Sequence, residues 1–227
     1  MKKIIRIILL SLLCISQANI SYGQGRNWIK EKIQQHGNCR NVAITRTGGD
    51  VMLYGRNGWA ANGCPTGLTN SLNELNERNE YIDDIQLTEG NRWLILYGNN
   101  GFLWNDIPYS LERKLREYNN NDEVVLSVTF NDDGDWIIIT KDHYSASDQR
   151  IVDFLQEGAR MYGMLWSACI TDDALVAVYE NGYNTIGNVP ITLKNALRNT
   201  NINIFRLKIA GTAWFFADND GHFNYYM

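Results

Sequence analysis

One hydrophobic pattern recurs along the chain at intervals of about 40 residues. Short segments alternate apolar and polar side chains, and their apolar pairs are Val42/Ile44, Ile85/Leu87, Val128/Phe130, Ala168/Ile170 and Leu207/Ile209. Successive pairs are 43, 43, 40 and 39 residues apart. Alternation of this kind is typical of a half-buried strand. The sequence therefore predicts five copies of one unit, each beginning with such a strand.

Two more strands are predicted in each unit. After a first turn come continuous apolar runs at residues 51–54, 93–97, 136–139, 175–179 and 214–217. A run that is apolar on both faces is typical of a central, fully buried strand. A second turn follows, often ending in Asn-Gly or Asp-Gly, which tolerate positive φ in hairpins. The third strand then begins with one aromatic residue per unit: Trp59, Phe102, Tyr144, Tyr183 and Phe223.

A helix is predicted after each of the first four strand sets. Three begin at the only prolines of the chain, Pro65, Pro108 and Pro190, with leucines three and seven residues later. Proline suits the first turn of a helix, where its missing N–H costs nothing. Asp148 occupies the corresponding position in the remaining unit, and aspartate is a good helix-start residue.

The fifth strand set has no helix after it, because the chain ends at Met227. Near the other terminus, Arg26, Ile29 and Ile33 have the spacing of the proline-led helices. An N-terminal helix that completes the C-terminal unit would close the repeat. Its two isoleucines are then expected to pack against the strands near Leu207 and Trp214. We therefore predict an α+β fold: a closed, propeller-like, five-fold repeat of strand–strand–strand–helix units.

The N-terminus has the pattern of a secretory signal peptide. Lys2, Lys3 and Arg6 precede or interrupt a short apolar stretch, and small residues lie near Gly23. The stretch is too short for a stable membrane span. We expect a signal peptide at residues 1–23, a single domain at 24–227, and a secreted or periplasmic mature protein without membrane insertion.

Composition limits the partners. Removing Lys2, Lys3 and Arg6 changes the formal charge from −4 to −7, and an acidic protein repels phosphate backbones. We therefore expect no nucleic-acid partner, and we expect a monomer. The cysteines show neither CxxC spacing nor a Cys/His cluster, so no metal or other cofactor is predicted. Because we expect export, a disulfide between Cys39 and Cys64 is chemically possible, and Cys169 would then be unpaired.

Three sets of side chains are candidate sites. The five aromatic residues that follow the second turns form either a repeated stacking platform for a ligand or part of the core. His143 and His222 occupy the second turns of units three and five, where they are ligand-binding candidates or ordinary turn residues. Asp132, Asp133, Asp135, Asp172 and Asp173 either bind calcium or serve turn geometry.

Two resemblances follow from these patterns. Residues 128–136, Val-Thr-Phe-Asn-Asp-Asp-Gly-Asp-Trp, resemble the hairpin of TolB-type β-propellers. The five-fold count and the three-strand-plus-helix unit look like the pentein class of α/β propellers. That class includes guanidine-modifying hydrolases, in which a cysteine near the C-terminus meets a histidine and acidic groups in the central channel. The last cysteine here, Cys169, lies instead in a predicted first strand.

These patterns favour a non-catalytic binding protein that recognises a glycan or an extracellular protein through its rim or channel. The first alternative is a pentein-like or other small hydrolase acting in the central channel. The second is a structural interaction module of a surface assembly. Convergence of a cysteine or histidine with two acidic groups in one pocket would favour the hydrolase.

Overall fold

The computed structural model describes residues 26–227, so the signal-peptide prediction lies outside the described residues. The first element, α1, covers 26–36. Within the described part, no helix has both the length and the apolar character that a membrane span requires. The following elements form five units of three strands each, four of them followed by a helix.

The strands form five separate three-stranded antiparallel sheets, each made of consecutive strands. Unit 1 contains β1 (Cys39–Ile44), β2 (Asp50–Tyr54) and β3 (Gly58–Asn62); unit 2 contains β4 (Ile82–Leu87), β5 (Trp93–Tyr97) and β6 (Gly101–Asn105); unit 3 contains β7 (Val125–Phe130), β8 (Trp136–Thr140) and β9 (Tyr144–Ala146); unit 4 contains β10 (Leu165–Ile170), β11 (Ala174–Tyr179) and β12 (Gly182–Gly187); unit 5 contains β13 (Arg206–Ala210), β14 (Ala213–Ala217) and β15 (Phe223–Tyr226). The α+β class and the repeated strand–helix unit predicted from the sequence are confirmed.

The helices between units are α2 (Thr66–Glu77), α3 (Tyr109–Asn120), α4 (Gln149–Tyr162) and α5 (Ile191–Asn199). Pro65, Pro108 and Pro190 each occupy the N-cap, one residue before the helix, with φ between −53° and −56°. Asp148 caps α4 by accepting a hydrogen bond from the Ile151 amide at 3.1 Å. The proline-led helices lack such a side-chain cap, so the fixed φ of proline defines where they start.

The core consists of five hydrophobic clusters, each enclosed by one helix and two consecutive units. Leu68 and Leu72 of α2, for example, pack against Leu53 of unit 1 and Ile85 of unit 2. Helices α3, α4 and α5 do the same between units 2 and 3, 3 and 4, and 4 and 5. Every unit therefore completes its core with its neighbours, as expected for a repeat that cannot bury its apolar surface alone.

The remaining cluster joins the two ends of the described chain. Ile29 and Ile33 of α1 are buried with Phe215 of unit 5 and with Val42 and Met52 of unit 1. Arg26 also donates to the Ala210 carbonyl at 3.2 Å. The sequence pattern had pointed to Leu207 and Trp214 as the partners of this helix. Those two lie in the cluster between units 4 and 5 because alternate strand residues face opposite sides of a sheet.

Candidate functional site

The first strands of the five units lie side by side, and we call the space between them the axis. Each contacts the first strand of the next unit, and β13 of unit 5 also contacts β1 of unit 1. One end of this axis carries the first turns, and we call it the turn end. At the other end the first strands begin, and four of them contain a β-bulge there. We call this the bulge end.

Polar side chains of the first strands form a hydrogen-bond network that is centred on Asp84. Its carboxylate accepts hydrogen bonds from Asn41 Nδ2 at 2.7 Å, Ser127 Oγ at 3.0 Å and Lys208 Nζ at 2.8 Å. Asp84 is 1% exposed and Lys208 is 5% exposed. One carboxylate thus connects units 1, 2, 3 and 5 inside the protein.

The groups around Asp84 favour the ionised form of its carboxyl. Burial raises the pKa of this carboxyl, but the nearby Lys208 and Arg206 cations and the hydrogen bonds to its oxygens have the larger combined effect. The pKa of Asp84 is therefore lowered. An ionised, fully hydrogen-bonded pair of this kind stays in place only while both partners are present.

The turn end is closed by contacts between neighbouring first turns. The carboxylate of Asp132 accepts hydrogen bonds from Thr88 Oγ1 at 2.6 Å and from the Gly90 amide at 2.7 Å. Asp172 accepts in the same way from the Asp132 amide at 3.1 Å. Glu89 accepts from the amides of Arg46 and Thr47. The acidic residue of each of these turns therefore fixes the turn of the preceding unit.

This use of the carboxylates agrees with turn geometry, the interpretation weighed against calcium binding. Within residues 26–227, no group of three or more acidic, histidine or cysteine side chains is placed to hold a metal ion. The cavity between the first turns has a volume of only about 40 Å³.

A buried carboxyl near the turn end should make stability depend on pH. Asp50 is 1% exposed, its Oδ2 has no hydrogen-bond partner within the described chain, and burial raises its pKa to about 7, although Arg26 opposes the shift. In the unfolded chain the pKa is about 3.9. Between these values the folded state binds more protons, so the free energy of unfolding falls as pH rises and levels off above the folded pKa.

We therefore expect Asp50→Asn to match the wild type near pH 4 and to be more stable near pH 8, by up to about 4 kcal/mol. Urea unfolding at the two pH values measures the difference. An equal difference between the two proteins at both pH values would contradict the assignment.

The bulge end is open. The strand register skips one residue between Cys39 and Asn41, and it does so at the same place in units 2, 3 and 4. The skipped residues are Arg40, Asp83, Leu126 and Trp166, and none of them is classed as buried. A β-bulge re-aims side chains in this way and is common beside binding sites.

One opening at this end is a cleft of about 410 Å³ between units 5, 1 and 2, which we call the Tyr81 cleft. It is lined by Asn38, Arg40, Gly55, Tyr81, Asp83, Arg206, Asp218, Asn219, Asp220 and Gly221. Its volume lies within the range of about 300–1,000 Å³ that is typical of ligand sites.

Two arginines in the Tyr81 cleft are held by backbone carbonyls. Arg40 donates to the carbonyls of Ile82 and Arg56 at 3.0 and 3.1 Å, and its guanidinium carbon lies 4.4 Å from the centre of the Tyr81 ring. Arg206 donates to the carbonyls of Asp83 and Phe205 at 3.3 and 2.9 Å. Among the described residues, neither guanidinium lies within 4.0 Å of a carboxylate. Backbone carbonyls therefore hold both guanidinium groups in place, and neither group forms a direct ion pair with a described carboxylate.

Asp83 lies in the same cleft as the two arginines. Partial burial raises its pKa to about 6, with Arg206 and Arg40 lowering it and Asp84 adding to the rise. The neighbouring surface is apolar: Leu126 is 42% exposed and Val124 is 52% exposed, and both line a smaller pocket together with Arg206. The bulge end thus combines cations, a carboxyl, an aromatic ring and exposed aliphatic side chains.

The five aromatic residues that follow the second turns, considered either as a platform or as core, lie in five different units. Each is half-buried against a different hydrophobic cluster: Trp59, Phe102, Tyr144, Tyr183 and Phe223. They therefore take part in the packing of the repeat. Tyr183 additionally lines a cleft at the boundary of units 4 and 5.

Both candidate histidines have a carboxylate neighbour. His143 Nε2 lies 2.9 Å from Glu123 Oε1, and His222 Nδ1 lies 2.7 Å from Asp218 Oδ2. Asp218 lines the Tyr81 cleft, so His222 adjoins that site, whereas His143 belongs to unit 3. No sequence pattern indicated these partners, because each pairing depends on how the second turn folds.

The three described cysteines are free thiols. The disulfide left open between Cys39 and Cys64 is not formed, since Cys39 lies in the cluster around α1 and Cys64 packs against the cluster around α2. Burial raises the pKa of Cys39 to about 12 and that of Cys64 to about 11. Neither thiol is activated as a nucleophile.

Sequence reasoning missed Arg40, Asp83, Trp166 and Arg206. A signal was present: in units 1, 2 and 4, two residues separate the buried residue that opens the first strand from the first alternating apolar residue, as in Arg40-Asn41 and Asp83-Asp84. Such a doublet breaks the period of two and marks a bulge.

Comparison of the chain with protein-family models, with curated proteins and with solved structures finds no significant match.

Proposed function

We propose that the chain is an exported, non-catalytic binding protein that recognises a glycan at the bulge end. The observation that carries this proposal is the Tyr81 cleft, in which an aromatic ring lies among arginine, aspartate and asparagine side chains. Sugars present apolar C–H faces and hydroxyl groups together. An aromatic ring accommodates the first, and planar polar side chains bind the second.

The cleft is prepared for such a ligand. Arg40 and Arg206 are held by backbone carbonyls, and the Arg40 guanidinium lies over the ring of Tyr81. Groups that are already oriented lose little conformational entropy when a ligand binds. Tyr81 remains 39% exposed, which leaves part of its surface for contact.

A closed ring is part of this proposal. The five clusters occur in cyclic order, with α1 between units 5 and 1, and Lys208 of unit 5 contacts Asp84 of unit 2 across the axis. Closure would keep the bulges of all units at one end and so hold the cleft between units 5, 1 and 2 together. The three-strand-plus-helix unit supports a pentein-like architecture, and the N-terminal sequence pattern supports export.

A hydrolase acting in the axis has less support. Cys169 lies near Lys208 and Thr129, but it is 2% exposed, and burial raises the pKa of its thiol. His143 and His222 lie on second turns, and His36 stacks on Tyr54. Within the described residues, the cysteine–histidine–acid convergence that would favour hydrolysis is therefore not formed.

A protein partner is the second candidate. Val124, Leu126 and Met164 are 52%, 42% and 60% exposed at the start of first strands in units 3 and 4. Neighbouring exposed aliphatic side chains are a feature of protein-binding surfaces. Val124 and Leu126 line a pocket that shares Arg206 with the Tyr81 cleft, and this proximity would allow a glycoprotein to contact both areas.

We expect Tyr81→Ala to weaken glycan binding about fivefold, because loss of a stacking ring removes about 1 kcal/mol. A glycan array with the mature protein identifies the sugar, and calorimetry then compares variants. Tyr109→Ala is the matched control, since Tyr109 is 78% exposed on α3. Equal affinity of both variants and the wild type would contradict the proposed site. Capture of a protein through Leu126 without any glycan binding would favour the second candidate.

A further inference from the structure

A second cleft adjoins the first at the bulge end. It lies between units 4 and 5, has a volume of about 380 Å³ and is called here the Trp166 cleft. Its lining includes Trp166, Tyr183, Asn181, Arg198 and Asn203. Like the Tyr81 cleft, it places aromatic rings among polar side chains that can donate and accept hydrogen bonds.

The side chains of the Trp166 cleft are also held in position. The ring of Trp166 packs against Phe205 with 5.2 Å between ring centres. The hydroxyl of Tyr183 donates to the Lys194 carbonyl at 3.4 Å and accepts from Arg198 Nε at 3.0 Å. These contacts fix both rings before any ligand arrives.

Two consecutive residues separate the clefts. Phe205 packs against Trp166, and Arg206 lines the Tyr81 cleft. The Phe205 amide donates to the Ala217 carbonyl at 2.9 Å, and Arg206 donates to the Phe205 carbonyl at 2.9 Å. The clefts are thus neighbours across a short, well-anchored segment, and a ligand that occupies both must pass over it.

We infer that the bulge end binds a linear oligosaccharide that lies across the Tyr81 cleft, the Phe205–Arg206 segment and the Trp166 cleft. The inference rests on the proposed function and adds the length of the ligand to it. Each cleft alone is near the small end of the range for ligand sites, about 300–1,000 Å³. A chain of sugars that fills both gains a second set of contacts without a second association event.

The test uses oligosaccharide ladders of increasing length from cellulose, chitin, xylan and polygalacturonate. The wild type should bind the longer members of one ladder at least about tenfold more tightly than the shortest. Trp166→Ala should abolish this gain with length while leaving the shortest members bound as before. Tyr81→Ala should weaken all lengths together.

Two further variants address the effect of Trp166→Ala on folding. Asn181→Ala and Asn203→Ala change exposed residues of the same cleft and should reduce the gain with length as well. Trp59→Ala is the control for aromatic loss, because Trp59 has the same position in unit 1 as Tyr183 in unit 4 but lines neither cleft.

The outcomes separate the two proposals. Length-independent binding, or a loss in Trp166→Ala that is equal for short and long chains, would overturn the extended site while leaving a glycan-binding cleft in place. Failure of the wild type to bind any member of any ladder or any glycan on the array would overturn the proposed function.

Discussion

Asp84→Ala is expected to destabilise the protein by about 3–5 kcal/mol, because it leaves the Lys208 ammonium buried without its partner. The same substitution also removes the acceptor of Asn41 Nδ2 and Ser127 Oγ. Together with Lys208, these donors belong to three different units, so the loss affects contacts of Asp84 with units 1, 3 and 5. Urea denaturation at neutral pH measures the change in the free energy of unfolding.

A double variant distinguishes the lost charge pair from a simple cavity. Asp84→Ala combined with Lys208→Met removes both charges and keeps most of the volume of the lysine side chain, so it should recover about half of the lost stability. Arg150→Met is the control for removing a cation from a surface ion pair, since Arg150 pairs with Asp148 and its side chain is exposed. A change of less than about 1 kcal/mol for Asp84→Ala would show that the pair does not hold the axis together.

The repeat could be predicted because each unit contains several independent signals. Alternation at Val42/Ile44, continuous apolar runs and proline-led helices all had the same period, and local signals that agree in this way favour one fold. The core role of Leu68, Leu72 and their equivalents followed from helical spacing alone. The partner face of α1 was displaced by one residue along β14, from Trp214 to Phe215, because the two faces of the sheet pack against different helices and Trp214 lies on the face toward α5.

The candidate site was harder to predict because its residues have no shared chemistry. Arg40, Asp83, Leu126 and Trp166 occupy equivalent bulge positions but differ in charge and size. The pairing of Lys208 with Asp84 spans 124 residues, and no local pattern relates the two. Contacts of this kind arise only when distant units pack together in the folded protein. The aromatic residue that follows the second turn of each unit was a candidate instead. In the structure, each of these residues packs against one of the hydrophobic clusters.

The contact of α1 with unit 5 leads to the second large effect. Ile29 and Ile33 are 0% and 2% exposed, and both pack in the cluster that joins unit 5 to unit 1. Replacing either by alanine should cost about 2–5 kcal/mol, since a buried isoleucine loses transfer energy and leaves a cavity. Ile191→Ala, on the exposed face of α5 at 65% exposure, is the matched control and should change little.

A closed ring and an open array differ in which units lose stability when α1 is weakened. In a ring, weakening α1 separates unit 5 from unit 1 and exposes two cluster faces at once, so unfolding should remain a single cooperative transition at lower urea concentration. Amide hydrogen exchange should then accelerate in β14 and in β2 together. In an open array, the units would respond according to their distance from α1, because stability is passed only between neighbours. Faster exchange confined to α1 and unit 1, with β13–β15 unchanged, would therefore contradict closure, even though Ile29 and Phe215 lie in one cluster.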